Sequence, residues 1–189
     1  MKTTLNLHKI LLLLSCTTFL LGRTTMLHAQ SQGSGDVVIT IPQASSIHVN
    51  GLNGSSIQLT PTAPANAGLP LNFTAATNNS LWLNYSAISQ EGKDIYVIIT
   101  SGTLPDGLAL KVNANVLSSA GQGNFGAAAG TVFITAAGQC IVKGITTCYT
   151  GEGPTLGRQL AYTLVNTGQY AQIQTMENNI VTVCYTITD

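Results

Sequence analysis

The chain has 189 residues and a formal net charge of zero, and only 7% of its residues are charged. An average globular protein carries roughly 25%. The apolar share of 44% is ordinary, so Thr, Ser, Asn, Gln and Gly supply the polarity. That balance excludes a nucleic-acid binder, which needs a basic patch, and a coiled coil, which needs many Glu, Lys and Arg; it also excludes disorder driven by high charge.

Residues 1–29 read as a secretory signal. Lys2 and Lys9 precede the apolar stretches Ile10–Leu14 and Phe19–Leu21, and Leu27-His28-Ala29 ends in a small residue, so cleavage is expected before Gln30. A second reading stays open. Leu13-Leu14-Ser15-Cys16 resembles a lipoprotein box, which would leave a lipidated Cys16. Neither the signal nor any later segment offers the run of about 18 apolar residues that a membrane helix needs, so no transmembrane span is expected in the mature chain. The expected location is outside the cytoplasm: periplasm, cell surface or medium. The remaining cations are Lys93, Lys111, Lys143 and Arg158, the anions are Asp36, Glu91, Asp94, Asp106, Glu152, Glu177 and Asp189, and His48 is the one histidine left. Residues 30–189 are expected to form a single domain.

The mature chain reads as short strands punctuated by turns. Val37–Ile41 starts the series and stops at Pro42. Its alternating Val37, Ile39 and Ile41 suit a first strand of the chain's own sheet, or a strand donated to a neighbouring subunit. Ile47–Val49 and Ser56–Thr60 flank Asn50-Gly51-Leu52-Asn53-Gly54, a hairpin signal. Leu69–Thr74 is a further candidate strand. In 81–85, Leu81, Leu83 and Tyr85 point one way, while Trp82 and Asn84 point the other. Ile95–Ile99 is apolar on both faces, as a central strand would be. Leu104-Pro105-Asp106-Gly107 is a turn signal, after which Leu108, Leu110 and Val112 face inward.

Residues 121–130 form a Gly/Ala loop. Thr131–Ala136 and Gln139–Lys143 are strands, and Thr146–Arg158 is a long loop. Leu160, Tyr162 and Leu164 share one face of the next strand. From Ile180 onward, Val181, Val183, Tyr185 and Ile187 line one side of the last. No window of the mature chain shows a helical period. About nine to eleven short strands argue for a single all-β domain, an immunoglobulin-like or Greek-key β-sandwich. The strand edges carry few lysines to discourage pairing, which suits an edge covered by the chain's own loops or bulges, or by another chain.

Chemistry-bearing residues are sparse. Cys140, Cys148 and Cys184 are disulfide candidates, an odd number whose pairing the sequence leaves open. General acid–base catalysis needs paired, positioned titratable groups, whereas the acids here fall mostly in turns. His48 lies on an expected strand, and no metal set or cofactor motif accompanies it; an enzyme is not expected. An exported hydrolase using His48 and Glu91 stands as the third alternative. Trp82 with Asn84 forms a candidate ligand platform, a stacking plane beside a hydrogen-bonding amide, although a lone Trp in a sandwich more often fills the core.

The closing run Ile180–Thr188 resembles the last strand of bacterial spore-coat-protein-U-type and related fimbrial-like secreted domains, while Pro42 after the first strand, Leu81-Trp82-Leu83-Asn84-Tyr85, Cys148-Tyr149-Thr150-Gly151 and Leu160–Leu164 resemble a group of small secreted Bacteroidetes proteins. Export, the lack of catalytic groups, the low charge and an extended strand at each end lead to the expectation of a secreted or surface-exposed structural or adhesive sandwich that assembles with itself or with other surface proteins. A carbohydrate-binding module with glycans as ligands is the alternative.

Overall fold

The computed structural model describes residues 36–188; the expected signal, its cleavage site and Cys16 lie outside them. The compact unit that holds every strand begins at Ile41. Twelve strands are present among the described residues: β1 (Ala44–Gly51), β2 (Thr77–Ile88), β3 (Lys93–Ser101), β4 (Leu108–Asn113), β5 (Leu117–Ser118), β6 (Gln122–Gly123), β7 (Ala127–Ala128), β8 (Thr131–Ile134), β9 (Gln139–Ile145), β10 (Cys148–Tyr149), β11 (Gly157–Asn166) and β12 (Thr182–Ile187). The sole helical element described is a 3-10 turn, Tyr170–Gln172. No helix among these residues is long and apolar enough to cross a membrane.

The strands form two antiparallel sheets packed as a sandwich. The larger, eight-stranded sheet runs β6-β10-β2-β11-β4-β8, with β1 on β2 and β5 on β11; the smaller runs β12-β3-β9-β7. Alternation in the sequence becomes alternation in space. On β2, Leu81, Leu83, Tyr85 and Ala87 are buried; Ile95 and Val97 of β3, Leu110 and Val112 of β4, and Leu160, Tyr162 and Leu164 of β11 face them in the core. Central β3 lies between β12 and β9, which explains its half-buried outer residues Tyr96 and Ile98. Tyr162 of β11 and Tyr185 of β12 share a hydroxyl–hydroxyl hydrogen bond of 2.5 Å, a buried polar tie between the sheets.

Several local expectations give way to long-range pairing. Residues 36–43 carry no strand, and Val37, Val38, Ile39 and Ile41 are between 71% and 89% exposed. Pro42 has no N–H to donate and disfavours a regular ladder through Ile41, so pairing begins beyond it, at Ala44. The turn after β1 does close, with the Gly54 N–H on the Gly51 carbonyl at 3.2 Å. Residues 56–60 nevertheless form no strand, because β2 pairs with β1 along Ala44–Gly51; Ile57 and Leu59 pack against the core instead. Leu69–Thr74 is likewise no strand, apart from a bridge between Asn72 and Thr62. The Pro105 turn closes one residue later than expected, by the Leu108 N–H on the Pro105 carbonyl at 3.1 Å. The two expected loops contain the two-residue strands β6, β7 and β10.

Candidate functional site

The larger sheet has an outward face that the sandwich does not use. β1 and β2 align in register, so Asn50 lies opposite Trp82, His48 opposite Asn84 and Ser46 opposite Ser86. On the far side of β2, Tyr149 of β10 lies opposite Ser86, and Gln159 of β11 opposite Trp82. Side chains of directly paired residues share a face. Three rows of polar and aromatic side chains therefore run across the sheet. A concavity of about 430 Å³ opens over them, lined by His48, Asn50, Asn84, Ser86, Tyr149 and Glu152, among others.

Asn84 organises this surface. The loop after β10 covers it, so it is 6% exposed despite its outward direction. Its carbonyl oxygen accepts from the Gly153 N–H at 3.2 Å and from the Asn50 amide, and its own amide donates to the Leu156 carbonyl at 2.5 Å. Gly157 makes the approach feasible. A Cβ there would fall 2.1 Å from the Leu83 carbonyl oxygen, and its φ of +87° is a glycine conformation. Asn84 is thus a clamp for the 151–157 loop, not the free hydrogen-bonding group of the expected platform. Trp82 is half-buried on the outward face and takes no part in the core, where Leu81, Leu83 and Tyr85 fill the space. It lies outside the residues that line the concavity.

The rim is chemically different. Ser46, His48 and Glu152 are exposed, Ser86 is half-buried, and none of the four side chains has a hydrogen-bond partner among the described residues. The Tyr149 ring is 52% exposed and sits against Gly121, where a Cβ would come within 2.8 Å of the ring carbon Cδ2. Glu91 is elsewhere, in the bend between β2 and β3, so the structure does not join it to His48. Asp94 is engaged by the Gly144 N–H at 2.9 Å. Among the described residues, no three His, Cys, Asp or Glu side chains come together as a metal set.

The three cysteines are free thiols rather than a bridge and a remainder. Cys140 on β9 lies opposite Tyr96, and Cys184 on β12 lies opposite Ile98, on either side of β3. Two strand spacings are about 9–10 Å, beyond the roughly 7 Å Cα limit for a disulfide. Cys148 belongs to the other sheet and its side chain joins the core. Burial pushes its thiol pKa up, and desolvation followed by nearby Asp94 does the same to Cys140. Neither environment activates a thiolate.

Arg158 is the polar residue that the reading of 146–158 as a loop conceals. It is 4% exposed. Its guanidinium donates to the Tyr85 hydroxyl at 3.2 Å, to the Ala114 carbonyl at 3.1 Å and to the Phe125 and Gly126 carbonyls at 3.4 and 2.6 Å. The Tyr85 hydroxyl in turn donates to the Phe125 carbonyl at 2.7 Å. Extending the Leu160–Tyr162–Leu164 alternation back by two residues would have placed Arg158 inward; the same step from Ile95 places Lys93 inward, and it is 2% exposed.

No protein-family model matches the chain, and no curated protein or solved structure matches it significantly.

Proposed function

We propose that this chain is an exported structural or adhesive subunit of an extracellular assembly, joined to its neighbours by strand addition through residues 37–41. One observation carries the reading: a run containing four large apolar side chains, each more than two-thirds exposed, stands immediately ahead of the first strand. An extended apolar segment of this kind gains a ladder and a buried face when it adds to another chain's sheet.

The available edges support it. Among the described residues, β1 pairs only with β2 and β12 only with β3, so each keeps one edge without a ladder partner. Neither strand contains Lys, Arg, Asp, Glu or Pro, the usual devices that blunt an edge. The reading assigns no reaction and no cofactor to the chain.

Size-exclusion chromatography and electron microscopy of the mature protein, with and without residues 30–42, test it. The intact protein is expected to form oligomers or fibres and the truncated one to remain monomeric. A strict monomer in both cases, under all conditions, overturns the reading.

A further inference from the structure

We infer that the concavity over β1, β2 and β10 is a binding site for a neutral carbohydrate, with Tyr149 as the stacking plane and His48, Glu152, Ser46 and Ser86 as the hydrogen-bonding rim. The inference is independent of the assembly reading, because it uses the outward face of the larger sheet and not residues 37–41.

The chemistry selects the ligand class. A pyranose presents a C–H face that packs on an aromatic ring and hydroxyls that both donate and accept. Tyr149 offers the ring at the edge of the concavity, half-exposed and seated against a glycine backbone that leaves it room. Glu152 accepts hydrogen bonds, the His48 ring offers an N–H, and the two serine hydroxyls do either. These four side chains make no hydrogen bond to the described residues, whereas every buried side-chain nitrogen or oxygen described has its partner.

Charge narrows the choice further. None of Lys93, Lys111, Lys143 and Arg158 lines the concavity, and its one acid is Glu152, so an anionic ligand would meet a carboxylate with no cation to offset it. An apolar ligand would leave the rim groups dehydrated and unmatched. The volume of about 430 Å³ falls within the range of small-ligand sites.

The floor is held ready in advance. Asn84 fixes the loop that carries Gly151 and Glu152 through the Gly153 N–H and the Leu156 carbonyl, so the backbone of that loop does not have to be ordered when ligand arrives.

The test is a printed array of neutral gluco-, xylo-, manno- and chito-oligosaccharides alongside sialylated and sulfated ones, followed by calorimetry with the strongest neutral binder. Retention of neutral glycans is expected. Tyr149→Ala should weaken binding about tenfold and Glu152→Gln about fivefold, while Trp82→Ala should leave it within about twofold. His48→Ala and Glu152→Gln alter exposed side chains, so they keep the test decisive if Tyr149→Ala proves unstable. The inference is overturned if the array retains no neutral glycan or only anionic ones. It is equally overturned if the rim variants bind as tightly as the parent, or if Trp82→Ala alone abolishes binding.

Discussion

Strand β2 presents two faces that treat polar groups in opposite ways. Inward, Leu81, Leu83, Tyr85 and Ala87 enter the core, and the one polar atom they bring, the Tyr85 hydroxyl, is fully engaged by Arg158 and the Phe125 carbonyl. Outward, the clamp Asn84 is engaged, but Ser86 and its neighbours Ser46, His48 and Glu152 are not. Buried polar groups must find protein partners because desolvation is costly, whereas groups facing water are free to exchange it for a ligand. The contrast separates residues that hold the fold from residues that can recognise something.

The sharpest way to break this contrast is Arg158→Met. It leaves the Ala114, Phe125 and Gly126 carbonyls and the Tyr85 hydroxyl short of a donor inside the molecule. A loss of about 3 kcal/mol or more is expected, read as a lower urea midpoint at unchanged slope. Arg158→Lys should recover little, since one ammonium cannot replace a fork of donors aimed at several carbonyls. A variant within about 0.5 kcal/mol of the parent would show that the interior polar set is dispensable.

The tyrosine pair comes next. Burial pushes Tyr162 up to about 12, and raises Tyr185 as well, with Tyr162 beside it adding to the effect. A tyrosine in the unfolded chain ionises near 10, so the unfolded state releases its proton first as pH rises. The pair's contribution to stability is therefore full below pH 10 and falls as pH climbs toward 12, by about 2–3 kcal/mol for a shift of that size. Urea melts at pH 8, 10, 11 and 12 read the loss, which should shrink by that amount in the Tyr162→Phe/Tyr185→Phe double variant, leaving the smaller share from Tyr85, Cys140 and Cys148, whose burial also raises them. At pH 8, Tyr162→Phe alone should cost about 1–3 kcal/mol by stranding the Tyr185 hydroxyl, with the double variant closer to the parent than the single one.

Asn84→Ala tests the outward face where it is structural. It should cost about 1–2 kcal/mol and speed hydrogen exchange at the Gly153 amide. The smallest effect belongs to the rim. His48→Ala and Glu152→Gln should stay within about 0.5 kcal/mol of the parent in the same melts, so that any loss of binding reads as recognition and not unfolding. A larger destabilisation would remove the distinction between the two faces.

Much of the fold was legible from alternation. The parity of 81–85, 108–112, 160–164 and 181–187 predicts the inward residues of β2, β4, β11 and β12, because side-chain direction along a strand is a local property with a period of two. The same rule placed Trp82 outward, and the competing expectation that a lone Trp fills the core fails against it. The site was far less legible. Trp82 and Asn84 were visible as an outward pair, but their partners come from β1, β10 and the 151–157 loop, and nothing local in 81–85 indicates that a distant loop would cover Asn84.

What the sequence determined by itself is the all-β class, the inward and outward sides of the main strands, and the absence of a helical period, since each depends only on near neighbours along the chain. Tertiary structure alone decided which edges pair: that β1 takes β2 instead of residues 56–60, that Arg158 is enclosed by backbone carbonyls, and that His48, Ser86, Tyr149 and Glu152 meet around one concavity. Pairing is a competition among all available edges, and its winner is set by how much apolar surface the whole sandwich buries, a quantity that no single segment contains.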